Sequence, residues 1–183
     1  MLSNTITAFR TLLTIPLFAI LAFGAGEHRL VALALFLGAG LLDVVDGKVA
    51  RARNETSAFG GMLDLLGDRL LTFAAVVGLI AGGGLAGYDV IAGIVLVVRD
   101  LVFATLHEAL PGKLGPRVSW VEKIKIAAAF AGLTLLIGAG ALFTDADRWG
   151  ALVLWLAALL TTITVIQYWL RALAAFRARD AAR

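Results

Sequence analysis

Residues 30–82 read LVALALFLGAGLLDVVDGKVARARNETSAFGGMLDLLGDRLLTFAAVVGLIAG. Two apolar runs flank a polar centre, and four aspartates, Asp43, Asp46, Asp64 and Asp68, stand where the runs meet it. Asp43 and Asp46 are spaced i, i+3. Gly47 and Ala50 continue the same face of one helix. Asp64 and Asp68 are spaced i, i+4, with Gly60 one turn before Asp64, on one face of a second helix. Between them Asn54-Glu55-Thr56-Ser57 reads as a break, with Thr56 or Ser57 as N-cap of the second helix.

Outward from this stretch the apolar character continues. The chain has 183 residues, 61% apolar and 16% charged, and its mean hydropathy is +0.93. A soluble domain carries about a quarter charged residues. The uncharged runs 11–26, 70–88, 126–144 and 149–170 approach the ~20 residues a helix needs to cross a bilayer. Two further apolar regions are interrupted by charge: one from Leu30, and one from about Tyr88 to Leu110. Together they predict an all-α integral membrane protein, a bundle of six transmembrane helices at 8–26, 29–53, 57–82, 87–109, 122–143 and 148–172. The short connections predict a single domain over 1–183. Period-2 alternation is absent, which argues against a barrel. The first segment lacks a basic leader, contains Pro16 and precedes five more spans, so it reads as a span rather than a cleaved signal. The absence of cysteine excludes disulfides, zinc thiolates and thiol nucleophiles. No nucleic-acid partner is expected from a net charge of only +3; the surrounding partner is membrane lipid.

Placement of the basic residues orients the bundle. Arg10, Lys48, Arg51, Arg53, Lys113, Arg117, Lys123, Lys125, Arg171, Arg177, Arg179 and Arg183 fall on one side, against Arg29 and Arg148 on the other. The positive-inside rule therefore puts both termini in the cytoplasm. Basic tails also attract anionic lipid, which accounts for the C-terminal arginines.

Helical rise then gives depth. At ~1.5 Å per residue, Asp43 lies ~20 Å below the outer end of its helix and Asp68 ~21 Å below the outer end of the next. Asp43 should face Asp68, and Asp46 should face Asp64, in the cytoplasmic third of the bilayer. Charges at such depth are costly and usually functional. The alternative makes them solvated loop residues or ion-pair partners of Arg51, Arg53 and Arg69. Four carboxylates gathered in low dielectric repel one another and cannot all stay ionised unaided. Divalent cations would resolve this, and oxygen-only ligands select hard ions such as Mg²⁺, Mn²⁺ or Ca²⁺. Two such ions form the usual clamp for displacement at phosphorus. Gly47 and Gly60 leave room for a group to approach the backbone. A transporter with an acidic site would also use carboxylates, but nearer the membrane centre.

Written as Asp43-x2-Asp46-Gly47-x2-Ala50-Arg51-x8-Gly60-x3-Asp64-x3-Asp68, the stretch resembles the signature of the CDP-alcohol phosphatidyltransferase family at every fixed position. Asn4 to Pro16 resembles the family's N-terminal Asn…Arg…Pro stretch, with Arg10 as its arginine. Arg99-Asp100 resembles an Arg-acidic pair of the fourth helix. Lys123-x-Lys125 resembles in part the Gly-Lys-x-Lys-Thr segment of phosphatidylglycerophosphate synthases, with Glu122 and Ile126 departing from it.

The resemblance implies a membrane homodimer of the bacterial inner-membrane type, with its active site open to the cytoplasm. It implies attack of an alcohol on CDP-diacylglycerol, releasing CMP, with two Mg²⁺ or Mn²⁺ ions as cofactors. It implies that Asp43, Asp46, Asp64 and Asp68 hold metal, and that Asp68 is the catalytic base. Asp43, Asp46, Gly47, Ala50, Arg51, Gly60 and Asp64 would bind CDP. Arg99, Arg117, Lys123 and Lys125 are the candidates for binding the acceptor. Glycerol 3-phosphate is the acceptor favoured by the chain length and the Lys-x-Lys segment. The Arg99-Asp100 pair is more like cardiolipin synthases, which use phosphatidylglycerol. Asp68-Arg69, where both groups carry Asp-Lys, keeps inositol phosphate in play, and amino alcohols also remain open.

Overall fold

The computed structural model describes residues 2–24, 28–52, 58–109, 120–139 and 141–181. Within these, the side chains of 2–6, 44, 46–52, 58–61, 64, 104, 107–108 and 178–181 are not described. Six helices follow one another: α1 (Leu2–Phe23), α2 (Arg29–Ala52), α3 (Ala58–Ala81), α4 (Asp89–Ala109), α5 (Trp120–Ile137) and α6 (Ala146–Ala181). No strand occurs among the described residues.

The helix bounds differ from the sequence reading at three ends. α1 begins at Leu2 rather than 8, because no proline or glycine precedes Pro16 to stop it. α5 ends at Ile137 rather than 143, where the amides of Gly138, Ala139, Ala141 and Leu142 turn back onto Thr134, Leu136 and Gly138 carbonyls. α6 runs to Ala181, 36 residues or ~54 Å. Its stretch 146–177 is long and apolar enough to cross a membrane, the one described helix that is so by length and composition. Between α3 and α4 the chain reverses through Gly83 (φ 73°) and Gly87 (φ 57°), left-handed conformations that glycine adopts without Cβ strain.

Small side chains set the packing. Ala32, Ala39, Ala75, Ala92, Ala146 and Ala157 are fully buried, so the helices approach closely. Leu17, Phe36, Val76, Leu133, Ile137 and Leu154 fill the space between them, and the Phe36 and Phe130 rings stack at 4.7 Å. Large apolar residues point outward instead of in. Leu12, Ile15, Leu41, Leu101, Leu152 and Leu159 are each more than half exposed. Such a surface suits a lipid surrounding better than water.

Helix pairing is what positions the site. α1 packs most extensively on α3 and also on α2, whereas α2 and α3 touch only sparingly. The short connection between α2 and α3 predicts direct neighbours. The structure instead seats α1 against both, and its side chains reach the gap between them.

Candidate active site

Arg10 is the residue that fills this gap. It lies on α1 and is 1% exposed. One guanidinium nitrogen, Nη1, donates to Asp43 Oδ1 on α2 and, at 2.8 Å, to Asp68 Oδ1 on α3. The two carboxylates are partly exposed, so the arginine is covered while the acids look outward. Gly67, next to Asp68, makes this possible. A Cβ there would stand 2.7 Å from Arg10 Nη2 and 3.1 Å from Thr11 Oγ1. In sequence Arg10 stands with the cytoplasmic charges and the family's N-terminal stretch, and nothing singles out Gly67. The only signal was an arginine inside α1 beside an acid-rich pair of helices.

The expected meeting of Asp43 and Asp68 is therefore present, through a cation from a third helix. Arg53 and the side chain of Arg51 lie outside the described residues, so the expected alternative of ion pairs to them falls outside the structure. Asp46 lies three residues along α2 and Asp64 four residues before Asp68 on α3, and their side chains lie outside the described residues. The same holds for Gly47, Ala50, Arg51 and Gly60. An all-oxygen donor set contributed by two helices fits a hard divalent cation. The two described carboxylates come within reach of a single nitrogen, so they are close enough to share one.

A second polar cluster lies where α4, α5 and α6 meet. Arg99 chelates Asp100 through Nε at 3.0 Å and Nη2 at 2.9 Å, and its guanidinium sits 5.6 Å from the Phe103 ring centre. Lys125 Nζ lies 5.4 Å from the same ring. It donates to Glu122 Oε1 at 2.6 Å and to Thr164 Oγ1 at 2.9 Å, and its side chain is 0% exposed. Thr164 in turn donates to the Thr161 carbonyl at 2.8 Å. The Thr161 hydroxyl, one turn away, is buried with no partner among the described residues. Lys123 is exposed, over the Trp120 ring. Arg117 lies outside the described residues.

The two clusters share a level. Arg29 donates to the Ala139 carbonyl, and further along α2 Phe36 and Gly40 meet Phe130, so α2 and α5 run antiparallel. Continued at the same rise, that register brings Asp43 level with Lys125. On α4, Gly93 meets Val76 of α3, which puts Arg99 within about one turn of the level of Asp68.

Asp43, Asp68, Arg99 and Lys125 thus stand near one level. The model of the family described as CDP-alcohol phosphatidyltransferase matches residues 1–175. The chain belongs to that family. It is 32% identical over 174 residues to the CDP-diacylglycerol--glycerol-3-phosphate 3-phosphatidyltransferase of Rickettsia felis, covering 91% of this chain and 92% of the relative. It is 33% identical over 178 residues to a probable phosphatidylglycerophosphate synthase of Mycobacterium tuberculosis, covering 94% of this chain and 81% of the relative. A Haemophilus influenzae protein with the same name as the first is 31% identical over 168 residues, with 89% and 88% covered. The chain is thus an enzyme of the phosphatidyltransferase type. Among the candidates taken from the family pattern, the structure joins Asp43 to Asp68 and gathers Arg99 with Lys125. Lys123 stands apart on Trp120.

Proposed function

We propose that the enzyme transfers the phosphatidyl group of CDP-diacylglycerol to glycerol 3-phosphate, giving phosphatidylglycerophosphate and CMP. It would act at the cytoplasmic face of a membrane that its six helices cross, as a homodimer on the family's pattern. The observation that carries this reading is the junction of Asp43 and Asp68 on Arg10, in a chain whose relatives bear the name of that reaction.

The reaction joins the acceptor oxygen to the phosphatidyl phosphorus and breaks the bond from that phosphorus to the oxygen of CMP. Asp43, Asp46, Asp64 and Asp68 would hold two Mg²⁺ or Mn²⁺ ions, which when bound offset the charge of the diphosphate and of the leaving group. Asp68 takes the proton of the attacking hydroxyl. It is the more exposed of the two described acids, at 55% against 33%, and so the more open to an incoming alcohol. Arg10 fixes the two carboxylates relative to each other, which keeps the base aimed. Gly47, Ala50, Arg51 and Gly60 border the cytidine and diphosphate. Arg99 and Lys125 would supply positive charge for the acceptor's phosphate, with Arg117 and Lys123 as the further candidates from the sequence.

An acceptor panel with CDP-diacylglycerol and purified protein tests the assignment. Glycerol 3-phosphate should support CMP release. Release only with phosphatidylglycerol, inositol phosphate or an amino alcohol would overturn the acceptor while leaving the family in place.

A further inference from the structure

Lys125 poses a problem for acceptor binding. Its level suits a cation facing the acidic site, yet its side chain is wholly covered. Glu122 lies against it, and its carboxylate takes one of the three ammonium donors. Thr164 takes another, from the middle of α6, where it is buried and tied to the Thr161 carbonyl. These two supports differ in kind. Thr164 is held within a long helix and cannot leave. Glu122 stands in the first turn of α5, its side chain is 14% exposed, and its side-chain torsions allow the carboxylate to turn from the ammonium. A carboxylate and a phosphate oxygen make the same charge-assisted bond to an ammonium.

We propose that Glu122 is a gate on Lys125: the acceptor's phosphate displaces its carboxylate from the ammonium, and Glu122 thereby sets how tightly a phosphorylated alcohol binds. Thr164 keeps the ammonium in place during the exchange. The buried Thr161 hydroxyl extends the polar face of α6 beside it. The proposal rests on glycerol 3-phosphate being the acceptor. It also gives a role to one of the two residues by which this chain departs from the Gly-Lys-x-Lys-Thr pattern.

The test is steady-state kinetics on the purified full-length protein, wild type against Glu122→Gln and Glu122→Asp. The amide has the same shape but is a weaker competitor, so Glu122→Gln should lower the KM for glycerol 3-phosphate about five- to tenfold. The KM for CDP-diacylglycerol should not move. Glu122→Asp, whose shorter arm withdraws the carboxylate, should shift the same constant in the same direction, and it decides the matter if the glutamine variant does not fold. A raised or unchanged KM for glycerol 3-phosphate in either variant overturns the gate. Failure of the wild type to use glycerol 3-phosphate instead overturns the acceptor reading, and the gate with it.

Discussion

Asp68 and its neighbour Gly67 separate chemistry from support within two residues. Asp68→Asn keeps the shape of the side chain but removes the proton acceptor and weakens a metal ligand. It should abolish turnover while the protein still elutes as a folded species in detergent; retention of more than a small fraction of activity removes Asp68 as the base. Gly67→Ala does something different. Its new methyl group meets Arg10 Nη2 at 2.7 Å, and the guanidinium yields by loosening its bonds to Asp43 and Asp68. Losing one charge-assisted bond costs about 1.5–3 kcal/mol. The variant should lose thermal stability to that extent and activity with it, as read by melting in detergent alongside rate. The acids of this site were legible in sequence because helical spacing alone puts Asp43 with Asp46 and Asp64 with Asp68. Arg10 was legible only as a charge, since nothing in the periodicity of α1 says which helices it touches.

Elements pair through glycine and alanine here, and that is where the sequence was least informative. Six helices followed from the lengths of the apolar runs. Their neighbours did not, because an apolar face in a bilayer has lipid and protein as nearly equal partners. The seat of α1 against both α2 and α3 is therefore a structural finding. The α5–α6 contact shows the rule: a Cβ on Gly132 would lie 2.9 Å from the Leu154 amide and 3.2 Å from the Gly150 carbonyl. Backbone cannot step aside as a side chain can. Gly132→Leu should push α5 from α6, with the overpacking cost of about 1–3 kcal/mol or more. A lower melting temperature in detergent checks this, and unchanged melting would show that α5 and α6 are not held as closely as described. Because Lys125 depends on Thr164 across the same contact, the KM for glycerol 3-phosphate should rise as well.

At the scale of the whole molecule, the bundle places acids from α2 and α3, and cations from α1, α4 and α5, at one level. Composition pointed to a membrane protein, and charge placement is read as its orientation. The motif told of the family, and residues 1–175 match it. Chain length and the Lys-x-Lys segment favoured glycerol 3-phosphate, in keeping with the names of the relatives, but which cation would hold it was not legible, because Arg99, Lys123 and Lys125 look alike as charges in sequence. Folding sorts them into a chelated arginine, an exposed lysine and a covered one. The central claim is metal-dependent phosphatidyl transfer at the Asp43–Asp68 junction. It is tested most directly by measuring CMP released from CDP-diacylglycerol and glycerol 3-phosphate by the purified protein, before and after exhaustive chelation. CMP should appear with Mg²⁺ or Mn²⁺ present, stop on chelation, and resume when either ion is restored; full turnover after chelation would contradict it.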